Sequence, residues 1–588
     1  MIHNFLVRVS LVWLKEAQTL QTEYDVIVVG GGINGLAVAG YLAKAGEKVA
    51  VFELRNEVGT NCESEEVMRP GVRANLHAVG LCPQLAPTYE ELELEHFGYE
   101  PCFGDWGYAY PFKDGSCVVL HNYDAEKTYN AWKAINKNDA ETYRKLCNYF
   151  ADHIVELTEE LFYKPPNVQS FQRAAEIISR CPGMPPNWLK MTGYQLMNEL
   201  FEDERIKILP LSVAIELILD PWHKGIGSLS SLMFVFMGVV WSWATTAKGG
   251  SHLLPHSLYR SALHYGVEVF QGCPVEKIIV ENGEAKGVIL SEDSVYPGRK
   301  IMARKAVVSD LSPVPTFLWL VGPENLPPEV VMAVQMYDNE GGGLFAPYLL
   351  TKEPLQLSAF NWTDRHIDSA VREQLYGFNI GPESVADIER YHRALALGEL
   401  PDPPILYGGI WRFTAIDPTQ APPGMHTTIL YTAVPYNICW WGNRRLNGPG
   451  SWDDIREEYA DRVEDFVAEY APNIKTAKID RYVQTPLDIV RRNPSMLEGT
   501  DVGGNVLPSQ FYHNRPFPGC GAPRTPIKKL YTTEVSVGRT TILMQGYITA
   551  SVLAEDLGVR NQPWWNVRPL EPYIRLLQRR GLKWRMKF

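Results

Sequence analysis

The sequence predicts an α/β protein built on a Rossmann-like unit, and two observations near its start carry that reading. Tyr24-Asp25-Val26-Ile27-Val28-Val29 is an apolar, β-branched run without polar alternation, as a strand buried on both faces of a parallel sheet requires. It leads directly into Gly30-Gly31-Gly32-Ile33-Asn34-Gly35, which fits G-x-G-x-x-G at Gly30, Gly32 and Gly35. A helical stretch follows from Leu36 to Ala45, with Gly46 in the place of a C-terminal cap. A second strand, Lys48 to Phe52, then delivers Glu53, 18 positions past Gly35.

Each part has a physical task. Gly30 permits the tight turn, Gly32 lets the backbone approach a pyrophosphate, and Gly35 lets helix and strand pack closely. The helix N-terminus offers N–H groups and partial positive charge to that anion. Glu53 stands where a carboxylate can accept hydrogen bonds from ribose hydroxyls. A lone G-x-G-x-x-G is a weak signal; strand, glycines, helix, strand and acid in this order are a strong one for a dinucleotide.

Composition narrows the function classes. A chain of 588 residues and 66.4 kDa predicts two connected domains, and 45% hydrophobic with 21% charged residues is an ordinary globular profile. The net charge of −12 argues against a nucleic-acid partner. Nine cysteines are scattered singly, without CxxC or Cys/His ligand spacing, so no metal site is expected. Dispersed thiols suit a reducing compartment, and the expected location is cytoplasmic. Residues 1–21 read as an N-terminal extension or a surface-lying anchor; Arg8 and Lys15 interrupt their apolar run. The run Leu229–Trp243, broken by Ser230, Ser231, Gly238 and Ser242, is too short to span a membrane and reads as a buried wall.

No second strand–G-x-G-x-x-G–helix unit follows, so one dinucleotide is expected. Beyond Glu53, Glu53-Leu54-Arg55 to Gly59 and Pro70-Gly71-Val72-Arg73-Ala74-Asn75-Leu76-His77 resemble the start of the phytoene desaturase and carotenoid isomerase-like flavoproteins. Gly249-Gly250-Ser251, Val275-Glu276-Lys277-Ile278 and Gly287-Val288 are similar to that family's middle segment. Thr485-Pro486, Gly503-Gly504-Asn505, Arg515-Pro516, Arg524-Thr525-Pro526-Ile527 and Leu530-Tyr531 are similar to its C-terminal block. The likeness touches residues 22–85, 245–325 and 480–560. It implies FAD as cofactor and a Rossmann-like, GR2-type FAD domain carrying an inserted α+β substrate domain. The expected layout is FAD segments at 22–85, 245–325 and 481–560, substrate-domain parts at 86–244 and 326–480, and a tail at 561–588.

Two departures stand out. The family has two glycines where this chain has Gly59-Thr60, and its flavin segment is glycine-rich where this chain reads Thr532-Thr533-Glu534-Val535-Ser536-Val537-Gly538. That change predicts a shifted flavin contact or a different catalytic task.

The resemblance carries cofactor-binding roles onto Gly30, Gly32, Gly35, Glu53, Arg55, Val275 and Gly546. His513 and Arg515, just before the flavin strand, are the catalytic candidates: His513 as base, Arg515 to polarise a carbonyl or hold the flavin. His77 and His252 are secondary candidates for which a structural role is the leading reading, and Tyr436, Trp440 and Trp441 line an apolar pocket or a core. The expected reaction is FAD-dependent removal of hydride and proton from adjacent carbons of an apolar, isoprenoid-like or alicyclic substrate. Cis–trans isomerisation of a polyene, amine oxidation and a non-catalytic flavin scaffold remain open. The basic tail, Arg575, Arg579, Arg580, Lys583, Arg585 and Lys587 among large apolar residues, suggests membrane-surface contact, self-association or a helix packed on its own domain.

Overall fold

The computed structural model describes residues 20–216, 221–240, 245–340, 342–500, 503–518, 520, 523–535 and 543–582. The principal elements begin with β1 (Glu23–Val29), α1 (Ile33–Lys44), β2 (Val49–Phe52), β3 (Trp106–Pro111), β4 (Cys117–His121), α2 (Lys137–Thr158) and α3 (Ile226–Val240). Next come α4 (Leu253–His264), β5 (Glu268–Phe270), β6 (Val275–Glu281), β7 (Glu284–Leu290) and β8 (Lys300–Ser309). They are followed by β9 (Gly343–Thr351), β10 (Gly377–Ile380), β11 (Leu406–Arg412), β12 (His426–Val434), α5 (Trp452–Ala468) and β13 (Lys478–Gln484). The chain closes with β14 (Leu530–Thr532), α6 (Met544–Asp556) and α7 (Glu571–Arg579).

Two seven-stranded sheets organise these elements. The first has the order β6-β7-β8-β1-β2-β5, and β14 joins β8 where β7 leaves off. β7 pairs with Lys300–Met302, whereas β14 runs parallel to Val307–Ser309. β1 is parallel to β2 and β8, which gives the Rossmann-like body. Alternate residues of β1 enter two cores: Val26 and Val28 on one face, Ile27 and Val29 on the other. The unbroken apolar run is the direct result, at roughly 1.5–3 kcal/mol for each side chain fully buried.

The strands expected between Val267 and Val308 are present, and β6, β7 and β8 form an antiparallel meander. Asn282 (φ 52°) and Gly283 (φ 71°) close its first hairpin, and positive φ at both positions explains that dipeptide. The helical period expected over Thr128–Leu161 resolves into Ala125–Lys133, α2 and one π-turn, Glu159–Tyr163. The Leu229–Trp243 run lies largely in α3, where Leu232, Val235, Phe236 and Val239 are buried; residues 241–244 lie outside the described set.

The second sheet runs β13-β9-β12-β11-β10-β3-β4 and belongs to the inserted domain. Its two faces have different neighbours. Phe345 on β9 packs on Trp452 and Tyr459 of α5, while Tyr348 on the same strand bonds the Leu76 carbonyl of the first domain. The domains are further locked by Asn75 Nδ2 to Gln420 Oε1 (2.9 Å) and Gly249 N–H to Asp417 Oδ2 (2.6 Å).

Candidate FAD site

The site forms at the carboxyl ends of parallel strands, where open α/β sheets bind ligands. Gly30 turns at φ 98°, and its N–H donates to the Phe52 carbonyl at 2.9 Å. Glu53 is 7% exposed, and its two carboxylate oxygens accept N–H bonds from Gly31 (2.7 Å) and Arg55 (2.8 Å). Burial pushes this carboxyl above its ordinary value, while those N–H groups pull it down. A carboxylate has about four lone-pair sites, so acceptor capacity remains for a ribose diol. Glu53 N–H donates to the Phe270 carbonyl, and its own carbonyl accepts from Cys273 N–H at 2.8 Å. Val275, two residues on, is thereby tied to the loop that follows Glu53.

Two of the glycines also make room for an acid. A Cβ on Gly32 would strike Asp310 Oδ2. A Cβ on Gly35 would stand 2.6 Å from the Gly30 carbonyl and 2.9 Å from Asp310 Oδ2. Asp310 is therefore a component that the sequence reading missed. Its N–H donates to the Val29 carbonyl (2.9 Å), and its Oδ1 accepts from Thr533 Oγ1 (2.7 Å). The available signal was an acid following the apolar strand Ala306–Ser309. Gly32 is the N-cap of α1 and contributes no side-chain cap, so the helix start suits an anion. The loop, the helix N-terminus and a buried acid with spare acceptor sites fit the ADP half of a dinucleotide.

Two residues carried over as cofactor ligands have other partners. Arg55 bonds the Arg492 carbonyl (3.2 Å) and approaches Glu63 (3.6 Å) and Glu65 (4.0 Å), while Arg492 pairs with the same two acids. This quartet ties residues 55–65 to the distant Arg492, so the Arg55 guanidinium already has protein partners. A Cβ on Gly546 would meet the Asn34 carbonyl (2.8 Å) and Cα (2.9 Å), and Gly546 N–H donates to Asn34 Oδ1 (2.9 Å). Gly546 thus lets α6 press on α1, a packing task.

The catalytic candidates separate. Arg515 is wholly buried: Nη2 lies 3.3 Å from Glu534 Oε2 and 2.8 Å from the Gly503 carbonyl, and Nη1 faces the Gln510 carbonyl at 3.4 Å. That guanidinium is sealed among protein groups, which replaces the expected contact with a substrate carbonyl. His513 is half-buried with Nδ1 lacking a hydrogen-bond partner, and it follows Tyr512, held at φ 54°. His77 is buried, its Nε2 3.4 Å from Gln484 Nε2, and burial followed by the Arg492 charge pushes its ring down to about 3. His252 precedes α4, and burial, aided by His256 and Arg73, pushes it down to about 4. Trp440 is 41% exposed on a short ribbon, whereas the half-buried Trp441 packs edge-on against buried Tyr459 at the margin of the core.

Residues 28–92 match the family described as NAD(P)-binding Rossmann-like domain. The zeta-carotene-forming phytoene desaturase of Myxococcus xanthus is 24% identical over 285 residues, covering 47% of this chain and 52% of that protein. A limonene dehydrogenase chain of Castellaniella defragrans is 30% identical over 555 residues, covering 92% of this chain and 96% of that protein. The chain belongs to the phytoene desaturase-like FAD-dependent oxidoreductases. Solved structures of a putrescine oxidase (13% identity, TM-score 0.55, 91% of this chain and 99% of that one) share the fold of this oxidoreductase. So does an oxidoreductase from Methanosarcina mazei (16% identity, TM-score 0.54, 90% and 99%). The protein is an FAD-dependent enzyme, as the resemblance implied.

The described half of the basic tail lies on the protein's own surface, one of the alternatives that the sequence left open. Arg575 pairs with Glu90 and Glu571, and Arg579 with Glu95. Leu576 and Leu577 are buried. Lys583, Arg585 and Lys587 lie outside the described residues, and among the described residues no helix is long and apolar enough to cross a membrane.

Proposed function

We propose that this oxidoreductase dehydrogenates a small alicyclic isoprenoid hydrocarbon, transferring a hydride from one carbon to FAD and a proton from the adjacent carbon to a protein base. The observation that carries this reading is the match with the limonene dehydrogenase chain across 96% of its length. FAD supplies the hydride acceptor; the chain supplies position and proton transfer. Glu53 and the Gly30–Gly35 turn hold the ADP half, with Val275 at the ribose end. His513 is proposed as the base, because its Nδ1 lacks a protein partner and its loop leads to the flavin strand. A neutral imidazole is a competent acceptor near pH 7.

The test is anaerobic mixing of the FAD-loaded protein with limonene, other cyclic terpenes and primary amines, following loss of the oxidised-flavin absorbance. Bleaching by a terpene supports dehydrogenation. Bleaching by amines alone overturns it, and product isomerised without net bleaching replaces it with isomerisation. His513→Ala should slow reduction by roughly 10²–10⁴-fold with FAD retained. A full-rate reduction removes His513 as base and leaves the dehydrogenase reading standing.

A further inference from the structure

Four neighbouring strands, β2, β1, β8 and β14, run the same way. Their carboxyl ends carry, in that order, Glu53, the glycine turn, Asp310 and Thr533–Val535. Strands are spaced by about 4.8 Å, so the row spans roughly 15 Å. A dinucleotide held by its ribose at Glu53 and its pyrophosphate at the turn extends along this row, because β5 covers the outer side of β2. The residues after β14 therefore meet its flavin half. Thr533 fixes them there: its N–H donates to the Ser309 carbonyl (3.0 Å) and its hydroxyl to Asp310 (2.7 Å).

The next residue is Glu534, 1% exposed, where the family is glycine-rich. Its Oε2 lies 3.3 Å from Nη2 of Arg515, which is 0% exposed and also faces the Tyr337 ring at 5.7 Å. Charges removed from water are weakly screened and act over several ångströms. We propose that the buried Arg515–Glu534 pair tunes the reduction potential of the flavin: the carboxylate opposes, and the guanidinium favours, placing an electron pair on the ring. The inference rests on FAD occupying this row and is independent of the substrate.

The experiment is a dye-calibrated redox titration of the FAD-loaded protein without substrate. E534Q should raise the reduced-to-oxidised flavin ratio at fixed poise about tenfold, ~30 mV for a two-electron couple. R515Q should lower it by a similar factor, and R515Q/E534Q should return near the unaltered protein. Opposite signs follow from charge, whereas disturbed packing does not distinguish the two. Shifts of the same sign, or no shift in E534Q with FAD bound, overturn the proposal. Where E534Q loses FAD, R515K and E534D decide, since both keep their charges while loosening the packing. Ratios close to the unaltered protein then support the proposal, and tenfold shifts overturn it. The terpene-bleaching experiment fails or succeeds separately.

Discussion

At Gly30–Gly35 the chain makes its contacts by omitting side chains, whereas at Thr533 and Glu534 it makes them with buried polar ones. The first region depends on local backbone geometry: a left-handed turn at Gly30 and a Gly35 too close to the Gly30 carbonyl for any Cβ. The second depends on side-chain partners 10 to 223 positions away. Thr533 reaches Asp310, Glu534 reaches Arg515, and Gln545 Nε2 donates to the Val535 carbonyl. Local geometry leaves a sequence motif; long-range pairing leaves only isolated charged residues. Asp310 belongs to both regions, since it touches Gly32 and Gly35 and accepts from Thr533.

The largest effect should come from breaking the first region at that shared residue. Gly32→Val should leave the purified protein without FAD, because its side chain collides with the Asp310 carboxylate and with an approaching pyrophosphate. Two further variants separate those collisions. If Asp310 is the obstacle, G32A/D310A should regain the FAD that G32A loses, as read from the flavin content of acid-precipitated supernatants. Full FAD occupancy in Gly32→Val would mean that the turn is not the pyrophosphate site.

Most of the parallel body was legible for the same reason that the turn was. β1 is apolar at successive positions because alternate residues enter separate cores, and Asn282-Gly283 announces a hairpin whose backbone must have positive φ. The resemblance located a strand at Leu530-Tyr531, observed as Leu530–Thr532, but roles transferred along a motif do not reveal partners. Arg55 and Arg492, far apart in sequence, share Glu63 and Glu65, and Gly546 serves the contact between α6 and α1. Trp440 and Trp441 could be a pocket or a core in the sequence because aromatic clustering carries no information about exposure; Trp440 is exposed and Trp441 packs on the core.

A smaller effect is expected at the ribose end, where the first region uses its one buried charge. Glu53→Ala should weaken FAD binding by about 1–3 kcal/mol, the range for losing a charge-assisted hydrogen bond. The variant also leaves the N–H groups of Gly31 and Arg55 without their acceptor, so part of the loss belongs to the turn itself. Equilibrium dialysis with FAD measures the sum. An unchanged dissociation constant would place the ribose elsewhere and remove the fixed end from which the row of strands is counted.

The smallest effect should appear where the acid–base pairing of the second region recurs in water. Arg575–Glu90 (44% and 29% side-chain exposure) and Arg579–Glu95 (57% and 38%) join the same chemical groups as Arg515–Glu534, but solvent reaches both ends. Exposed pairs contribute up to about 1 kcal/mol and weaken with salt. R575A/R579A should therefore lower stability in urea by no more than about 2 kcal/mol at low ionic strength, less at high salt, with FAD content unchanged. Anchoring of α7 then falls to buried Leu576 and Leu577. Pelleting with anionic liposomes should also be unchanged, because Arg575 and Arg579 face the protein's own acids. A clear fall in pelleting would show that Arg575 and Arg579 exchange those acids for lipid phosphates, and that the tail acts at a membrane surface.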